Sequence, residues 1–325
     1  MKKTICFFIL VICCCYVSAQ QKSQYTQYVF NNYLLNPAFA GIDNYTDIKI
    51  GHRSQWTGLQ GAPKTNYITI NTPIGKTNLI QGDTSKVLSN LFSPNSLLLK
   101  PHHGVGFLFM NDKVGLINQT NLHLSYSYHL KLNNEYNLAT GLTFGLNHTS
   151  LNTALIIIEN PSDIAIQNSN NKIWKPDFTL GVLLYKNNFY AGISAQQLIT
   201  QTYFNSNSLA NKSKTVPHFF FNLGYKLSFA QDFIFSPSLL LKVIKPVPIS
   251  YDVNLKLAFK NKLWLGASYR RDDSFGILTG LAISRRFNFG YAYDFTTSGL
   301  NRVSGGSHEI VFGMILNKFE NEKKN

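Results

Sequence analysis

The sequence has no cysteine beyond residue 15. All four cysteines fall among its first nineteen residues, at Cys6, Cys13, Cys14 and Cys15. Those nineteen residues have the organisation of a secretory signal peptide: Lys2 and Lys3 precede an apolar run over residues 5–17, and small residues at Ser18 and Ala19 precede the expected cleavage. A mature chain that begins at Gln20 therefore excludes disulfides, CxxC metal sites and a cysteine nucleophile.

Long hydrophobic runs are also missing. After the signal peptide the longest apolar run is residues 154–158, which is far too short for a transmembrane helix. If the chain spans a membrane, it must do so as a closed barrel in which every backbone polar group is paired. Loss of Lys2 and Lys3 lowers the formal net charge from +14 to +12. Because export argues against a nucleic-acid partner, we interpret the basic residues as a solvated surface, with an anion-binding patch as the alternative.

Catalytic and metal-binding patterns are absent from the sequence as well. It has no GxSxG, HExxH or phosphate-loop motif. His123 and His129 share one face of a predicted strand but lie about 20 Å apart, too far to share a metal ion. We interpret His102 as a polar residue entering a strand, and Asp272 and Asp273 as solvated turn charges rather than a calcium site. The sequence thus predicts no catalytic residue, no cofactor and no metal, and a protein that is not an enzyme.

The clearest pattern that is present covers residues 275–295. Phe275, Ile277 and Leu281 alternate with small residues, and a second run over residues 287–295 places aromatic residues at every second position. This period of two predicts β-strands with one apolar face and one small, polar face. Each run is about ten residues, the length of a tilted transmembrane strand. Only Arg285 and Arg286 separate the runs, so we predict a hairpin of an outer-membrane β-barrel.

The same alternation recurs along the chain and predicts about fourteen antiparallel strands, an all-β outer-membrane barrel. We expect a signal peptide at 1–19, a plug-like N-terminal segment at 20–44 that packs at the periplasmic mouth, the barrel at 45–319 and a tail at 320–325. A soluble β-sandwich is the alternative, but strand length and the aromatic load on one face disfavour it.

The connections predict which end of the barrel is periplasmic. Short turns, such as residues 133–134 and 187–188, alternate with long Asn-rich loops at 150–174 and 198–216. Short turns are periplasmic in outer-membrane barrels and long loops are outside. The stretch 75–101 is the exception, because it is a long connection on the predicted periplasmic side: either it is a periplasmic projection or the strand count is wrong at this point.

Several short motifs, taken in order along the mature chain, resemble the PorP/SprF family of outer-membrane proteins. They are the opening QYTQY with NPAFAG, then QW followed by GAPKT, NDKVG, WLGASYR, GYAYD and GSHEI. The positions that carry the resemblance are Tyr25, Gln27, Tyr28, Asn36, Pro37, Ala38, Gly41, Trp56, Gly61, Ala62, Pro63, Asp112, Gly266, Tyr269, Arg270, Tyr291, Asp294, Ser307, His308 and Glu309. The stretch 75–101 is longer than the family pattern.

The resemblance implies a non-enzymatic integral outer-membrane component of type IX secretion and gliding in a Bacteroidota-type envelope. It implies outer-membrane lipid, other secretion and gliding components, and secreted cargo with a C-terminal sorting domain as partners. The residues themselves reach only an outer-membrane barrel. A passive, porin-like channel for small solutes therefore stays as the alternative function, while the missing motifs disfavour an outer-membrane enzyme.

Overall fold

A computed structural model describes residues 25–75, 101–152, 172–200, 215–230, 232–260 and 262–316. Within these ranges the chain forms one antiparallel sheet in which each strand pairs with its neighbours. Strand β1 pairs with both β2 and β15, and β10 pairs with β11, so the sheet closes into a barrel. Among the residues with described positions, no helix is long and apolar enough to cross a membrane.

Fifteen strand segments build the sheet in chain order. They are β1 (Thr46–Ser54), β2 (Lys64–Ile74), β3 (His102–Val114), β4 (Ile117–Lys131), β5 (Asn137–Leu151), β6 (Lys172–Lys186), β7 (Phe189–Gln196), β8 (His218–Tyr225), β9 (Leu227–Ala230), β10 (Phe233–Ile244), β11 (Ser250–Phe259), β12 (Leu263–Arg270), β13 (Ser274–Ala282), β14 (Phe287–Thr296) and β15 (Ser307–Leu316).

Strands β8 and β9 are two parts of one barrel strand, because both pair with β10. The interruption at Lys226 lies opposite the stretch of β10 that contains Pro237. Proline has no N–H to donate to the ladder, which accounts for the break. With β8 and β9 counted together, the barrel has fourteen strands, which confirms the predicted number.

Several strands continue beyond the residues that alternate clearly between apolar and polar. Strand β3 runs to Val114, β5 runs to Leu151, and β6 begins at Lys172. These ends are polar and lack clear alternation, yet their neighbours extend equally far and supply ladder partners, so pairing rather than side-chain pattern decides where they stop.

The hairpin over residues 275–295 has the two predicted faces. Phe275, Ile277 and Leu281 are exposed on the outer surface. Gly276 and Asp294, at alternate positions, point inward and are buried. The outer face is the one that meets lipid, whereas the inner face lines the lumen.

The described connections follow the predicted alternation only in part, because the turns at 115–116 and 271–273 are short and lie at the end predicted to carry the long loops. The short turns 132–136 and 187–188 lie at one end, together with the turn at residues 283–286. We call this end the short-turn end and the opposite one the long-loop end. The predicted excursion at 75–101 has residues 76–100 outside the described ranges, and much of the two Asn-rich loops also lies outside them, as do the signal peptide and the tail. Those assignments stay predictions.

The N-terminal segment consists of three short 3-10 turns, Gln27–Val29, Asn32–Leu34 and Pro37–Phe39. We name residues 25–45 the lumen segment, because nearly all of them are buried inside the barrel. Its later part contacts the short-turn end, where Ala40 meets His129 of β4. Its earlier part extends beyond the predicted periplasmic mouth: Thr26 reaches Glu309 and Asp294 in the opposite half of the barrel.

The lipid face generates a first prediction. Ile277 is 50% exposed and lies near the middle of β13. Ile277→Arg places a cation against hydrocarbon and should destabilise the barrel by about 2–4 kcal/mol. Unfolding in lipid vesicles, followed by the heat-modifiable gel shift, measures this loss. Ser284→Arg, in the exposed turn that follows, is the control; it removes a hydroxyl that accepts the Arg286 and Phe287 N–H groups, so it should cost about 1 kcal/mol. Equal losses from both substitutions would contradict the assignment of the lipid face.

Candidate functional site: the segment inside the barrel

Aromatic side chains anchor the lumen segment at several heights of the barrel. The ring centroid of Tyr25 lies 5.8 Å from that of Tyr67 in an edge-on arrangement. Phe30 packs on Trp264 near the short-turn end, with centroids 6.1 Å apart. Such aromatic pairs stabilise the structure beyond the hydrophobic effect of the surface area they bury. The segment is therefore held by packing against several different strands.

Glycines in the barrel wall make room for its backbone. A Cβ atom at Gly141 would collide with the backbone of Pro37 and Ala38. Gly41 has a φ of +68°, a conformation that suits glycine, and a Cβ there would lie 2.6 Å from the Cα of Gly104. The small inner face predicted from the sequence is thus occupied by the segment.

Neutral hydrogen bonds fix the middle of the segment. The Asn36 amide donates to the carbonyl oxygens of Val182 and Ile193 at 3.1 and 3.2 Å, and its side-chain oxygen accepts from the Ala38 N–H at 2.9 Å. The last bond forms a turn at Asn36-Pro37. The Tyr33 hydroxyl lies 2.8 Å from that of Ser125. Burial raises the pKa of the Tyr33 phenol above its usual value, which keeps it neutral.

A buried ionic cluster holds the beginning of the segment. The Arg53 guanidinium contacts Glu309 Oε2 at 3.0 Å and Asp294 Oδ2 at 2.7 Å. The same Glu309 oxygen accepts the backbone N–H of Thr26 at 2.8 Å, and the Thr26 hydroxyl donates to Asp294 at 2.6 Å. Glu309 is 0% exposed. The cluster therefore ties β1, β14 and β15 to the lumen segment.

A second ionic group lies beside the first. Asp252 Oδ2 contacts Lys242 Nζ at 2.8 Å and Arg270 Nε at 3.3 Å. Arg270 also donates to the carbonyl oxygen of Tyr25 at 3.2 Å. The Asn254 amide donates to the Tyr28 hydroxyl at 2.6 Å. Burial, and then the nearby Asp252 carboxylate, raise the pKa of Tyr28 well above its usual value.

Gln27, a third residue of the opening motif, is fully buried between these groups. Its backbone N–H donates to Glu309 at 3.2 Å. The side-chain amide has no hydrogen-bond partner in the described part of the chain, and it lies against Gly290, where a Cβ would come within 3.3 Å of its oxygen. The opening motif is therefore buried as a unit in the lumen.

Another group of motif positions shapes the long-loop end of the barrel. The Trp56 N–H donates to Ser307 Oγ at 3.1 Å, and the Gly115 N–H donates to the Gly61 carbonyl oxygen at 2.9 Å. Thr65 donates to Asp112 Oδ1 at 2.6 Å. The neighbouring Ala62 and Pro63 each take part in a backbone hydrogen bond of the β1–β2 turn. These residues are structural and lie apart from the lumen segment.

The remaining motif positions lie in the barrel wall. Tyr269 is exposed on the outer surface. The Tyr291 hydroxyl lies 2.8 Å from His308 Nδ1 on the same outer face, as a girdle aromatic would. Gly266 lies in β12, where a Cβ would approach the Leu255 carbonyl oxygen at 3.1 Å. The predicted positions thus divide among lumen, long-loop end and wall.

Sequence reasoning missed the central cation of the cluster. Arg53 and Thr26 are not among the predicted motif positions, although Arg53 contacts both carboxylates. A signal was available in the alternation of β1, because Asp47, Lys49 and Arg53 occupy the positions opposite to Ile48 and Ile50. Charges on the inward face of a membrane strand need partners there.

The lumen is largely filled by this arrangement. Two cavities beside the segment have volumes of about 30 and 60 Å³. Among the residues whose placement is described, no group of three or more His, Asp or Glu side chains is placed to hold a metal ion. Ion-paired residues and their hydrogen bonds join the wall to the segment.

Fold and site together define an integral outer-membrane β-barrel whose lumen holds its own N-terminal segment. The model of the type IX secretion system membrane protein family PorP/SprF matches residues 17–314. The chain therefore belongs to the PorP/SprF family. A search among curated proteins found no match.

Solved outer-membrane barrels are similar in fold. Omp33 of Acinetobacter baumannii is 10% identical with a TM-score of 0.50, over 85% of this chain and 100% of that one. The monoaromatic hydrocarbon channel CymD is 11% identical with a TM-score of 0.49, over 90% and 94%. The P. putida toluene transporter TodX is 8% identical with a TM-score of 0.46, over 91% and 95%.

The ionic cluster generates a second prediction. Arg53→Met leaves Glu309 and Asp294 buried without their shared cation, which should cost about 3–5 kcal/mol. Urea unfolding in nanodiscs measures the loss, and limited proteolysis near Thr26 reports release of the segment. Arg271→Met removes an exposed arginine that pairs with Asp272, so it should cost less than about 1 kcal/mol. If the two variants unfold alike, the cluster does not hold the segment.

Proposed function

We propose that this protein is a non-enzymatic outer-membrane component of type IX secretion that supports export or surface attachment of cargo carrying a C-terminal sorting domain. It acts by contacting cargo on the outside and secretion or gliding proteins on the periplasmic side. Membership of the PorP/SprF family is the observation that carries this proposal. The lumen segment supports it, since a barrel whose lumen is occupied by its own chain is expected to act through its surfaces.

The contact model agrees with how the chain uses its charged residues. Inside the barrel, Arg53, Arg270 and Lys242 are engaged by carboxylates of the wall. These ion pairs bind the chain to itself. Surfaces that remain for a partner are the two ends of the barrel, where the connections leave the lipid.

A deletion strain tests the proposal. Without the gene, one or a few proteins with C-terminal sorting domains should disappear from the cell surface, while uptake of small solutes stays unchanged. Surface labelling followed by mass spectrometry measures display, and entry of a radiolabelled sugar measures permeability. Complementation with the wild-type chain is the control. Normal display together with lost permeability would favour the passive channel.

Conductance distinguishes the two functions in vitro. The wild-type protein in planar bilayers should show little current because the lumen segment fills the barrel. Removal of residues 25–41 should raise the single-channel conductance several-fold, because the wall of a fourteen-strand barrel encloses a wide lumen. The Ser284→Arg barrel keeps its segment and serves as the control. A wild-type conductance equal to that of the truncated protein would contradict the filled lumen.

A further inference from the structure

Two lysines face each other on the exterior of the wall at the long-loop end. Lys64 is the first residue of β2, and its direct partner in β3 is Lys113. Both lysines are exposed, whereas their strand neighbours Thr65 and Asp112 are buried on the lumen side. Residues directly opposite each other in an antiparallel pair have Cβ atoms about 5 Å apart. The two ammonium groups are therefore presented to the same exterior surface, close enough to share one ligand.

The chain does not balance the charge of this lysine pair within the part that the structure describes. Neither lysine forms an ion pair with a described residue. The acidic residues of the nearest strands, β15 and β1 to β4, are all buried on the lumen side: Glu309, Asp47 and Asp112. Like charges directly opposite each other destabilise a sheet. An anion that binds both lysines from outside would relieve this repulsion.

Neutral polar side chains form the next outward-facing pair of the same two strands. Asn66 of β2 pairs directly with Asn111 of β3. His52 Nδ1 of β1 lies 2.8 Å from Asn66 Oδ1, and the Asn111 amide donates to Asn118 Oδ1 and Thr120 Oγ1 at 2.9 Å each. These bonds fix the two amides against the neighbouring strands and leave the Asn66 NH2 group as a donor. We name the four outward residues of β2 and β3 the exterior patch: Lys64, Asn66, Asn111 and Lys113.

The exterior patch adjoins the apolar surface that meets lipid. The next outward residues along the same strands are Ile68 and Phe109, which pair with each other. Alternate residues of a strand are about 7 Å apart, so the asparagines lie about 7 Å and the lysines about 14 Å from this apolar pair along the strands. Lysine stems cover apolar surface while their ammonium groups stay at the polar boundary. A ligand that spans the patch and its apolar border needs both an anionic group and hydrocarbon.

The other half of the barrel is apolar at the corresponding place. Phe275, near the long-loop end of β13, pairs with Tyr269 of β12 and with Phe295 of β14, and all three are exposed on the exterior. The exposed Arg271 that follows β12 contacts Asp272 at 3.0 Å, so its charge is paired within the chain. The exterior patch is therefore a feature of one side of the barrel.

Two turns that are joined by a hydrogen bond border the exterior patch. The Gly115 N–H, in the turn after β3, donates to the Gly61 carbonyl oxygen, in the turn before β2, at 2.9 Å. Lys64 and Lys113 each lie within three residues of these glycines. The backbone that carries the two lysines is thus held in place before any ligand binds, which lowers the entropic cost of binding.

We propose that the exterior patch binds the phosphate headgroup of an anionic lipid in the outer leaflet of the outer membrane. Phosphate oxygens accept the charge-assisted hydrogen bonds that ammonium groups donate, and one phosphate can bridge Lys64 and Lys113. The Asn66 amide supplies a further donor, and the acyl chains lie along Ile68 and Phe109. Basic clusters at the surface of a membrane suit anionic headgroups.

A lipid fits this place better than an acidic protein, because the patch lies on the membrane-facing side of the wall and continues directly into its apolar surface. The outer leaflet is assigned from the predicted orientation, in which the long-loop end lies outside. The inference does not rest on the proposed role in secretion.

Native mass spectrometry tests the site. The full mature protein is titrated in detergent with diphosphoryl lipid A, and the bound fraction gives an apparent dissociation constant. The double variant Lys64→Gln/Lys113→Gln should bind at least about tenfold more weakly, because it loses both charge-assisted contacts. Lys64→Arg/Lys113→Arg keeps both charges and should bind within about threefold of the wild type. Lys260→Gln/Lys262→Gln removes two exposed lysines from the short-turn end and should bind as the wild type does.

Stability provides an independent measurement on the same proteins. Without lipid A, the Lys64→Gln/Lys113→Gln barrel should be at least as stable as the wild type, because the like-charged pair is gone. Saturating lipid A should raise the temperature of the heat-modifiable gel shift for the wild type and raise it less for this variant. The gel shift also shows that each variant is folded. Lys113→Gln alone replaces a double variant that does not fold and should weaken binding several-fold.

Several results would overturn the proposal. Equal affinities of the wild type and Lys64→Gln/Lys113→Gln, or equal losses from the patch and the short-turn end, would show that the exterior patch does not bind lipid A. Phosphatidylglycerol that binds as tightly as lipid A would contradict the assignment to the outer leaflet. Inorganic phosphate or hexaglutamate that displaces lipid A at equal concentration would show a free-anion site or a protein-binding site instead. Surface display in the deletion strain is a separate measurement, so either proposal can fail alone.

Discussion

Hydrocarbon offers no hydrogen-bond partner to a peptide group, and this constraint underlies the whole structure. A sheet in a membrane must close so that no strand edge is left unpaired. Here the last strand pairs with the first from Thr46–Leu316 to Ser54–His308. The same register sets Arg53 directly opposite Glu309. Closing the barrel therefore also assembles the ionic cluster that receives the lumen segment.

Burying a charge in the lumen costs desolvation free energy, and close ion pairs offset that cost. Arg53 serves two carboxylates, while Asp252 serves two cations. Backbone groups of the lumen segment complete the coordination, as the Thr26 N–H does on Glu309. Segment and wall thus depend on each other, since the segment supplies donors that the carboxylates need. The segment therefore stabilises the part of the wall that it contacts.

The two ends of the lumen differ in how their charges are arranged. Towards the long loops, cations and carboxylates alternate around Arg53 and Asp252. Towards the short turns, lysines converge on a cavity beside Ser236. The first arrangement satisfies its charges by ion pairs within the chain.

Much of the architecture is predictable because strand alternation is a local property. The period of two in residues 275–295 predicts which side chains meet lipid, and the count of such runs predicts fourteen strands. The Asn36-Pro37 turn is equally local, and its hydrogen bond to Ala38 forms within the segment. Strand ends such as Val114 and Lys172 were not predictable, because they depend on how far a neighbouring strand continues.

What the sequence by itself determined is therefore the membrane-facing surface, the strand number and the family motifs, since each is written in residues close together along the chain. The tertiary structure alone decided where the lumen segment lies and what holds it. Thr26 and Glu309 are separated by almost the whole barrel in sequence, yet they share a hydrogen bond of 2.8 Å. Lys64 and Lys113 likewise become neighbours only through the pairing of β2 with β3. Such long-range pairs arise from the register of a closed sheet, which no local pattern specifies.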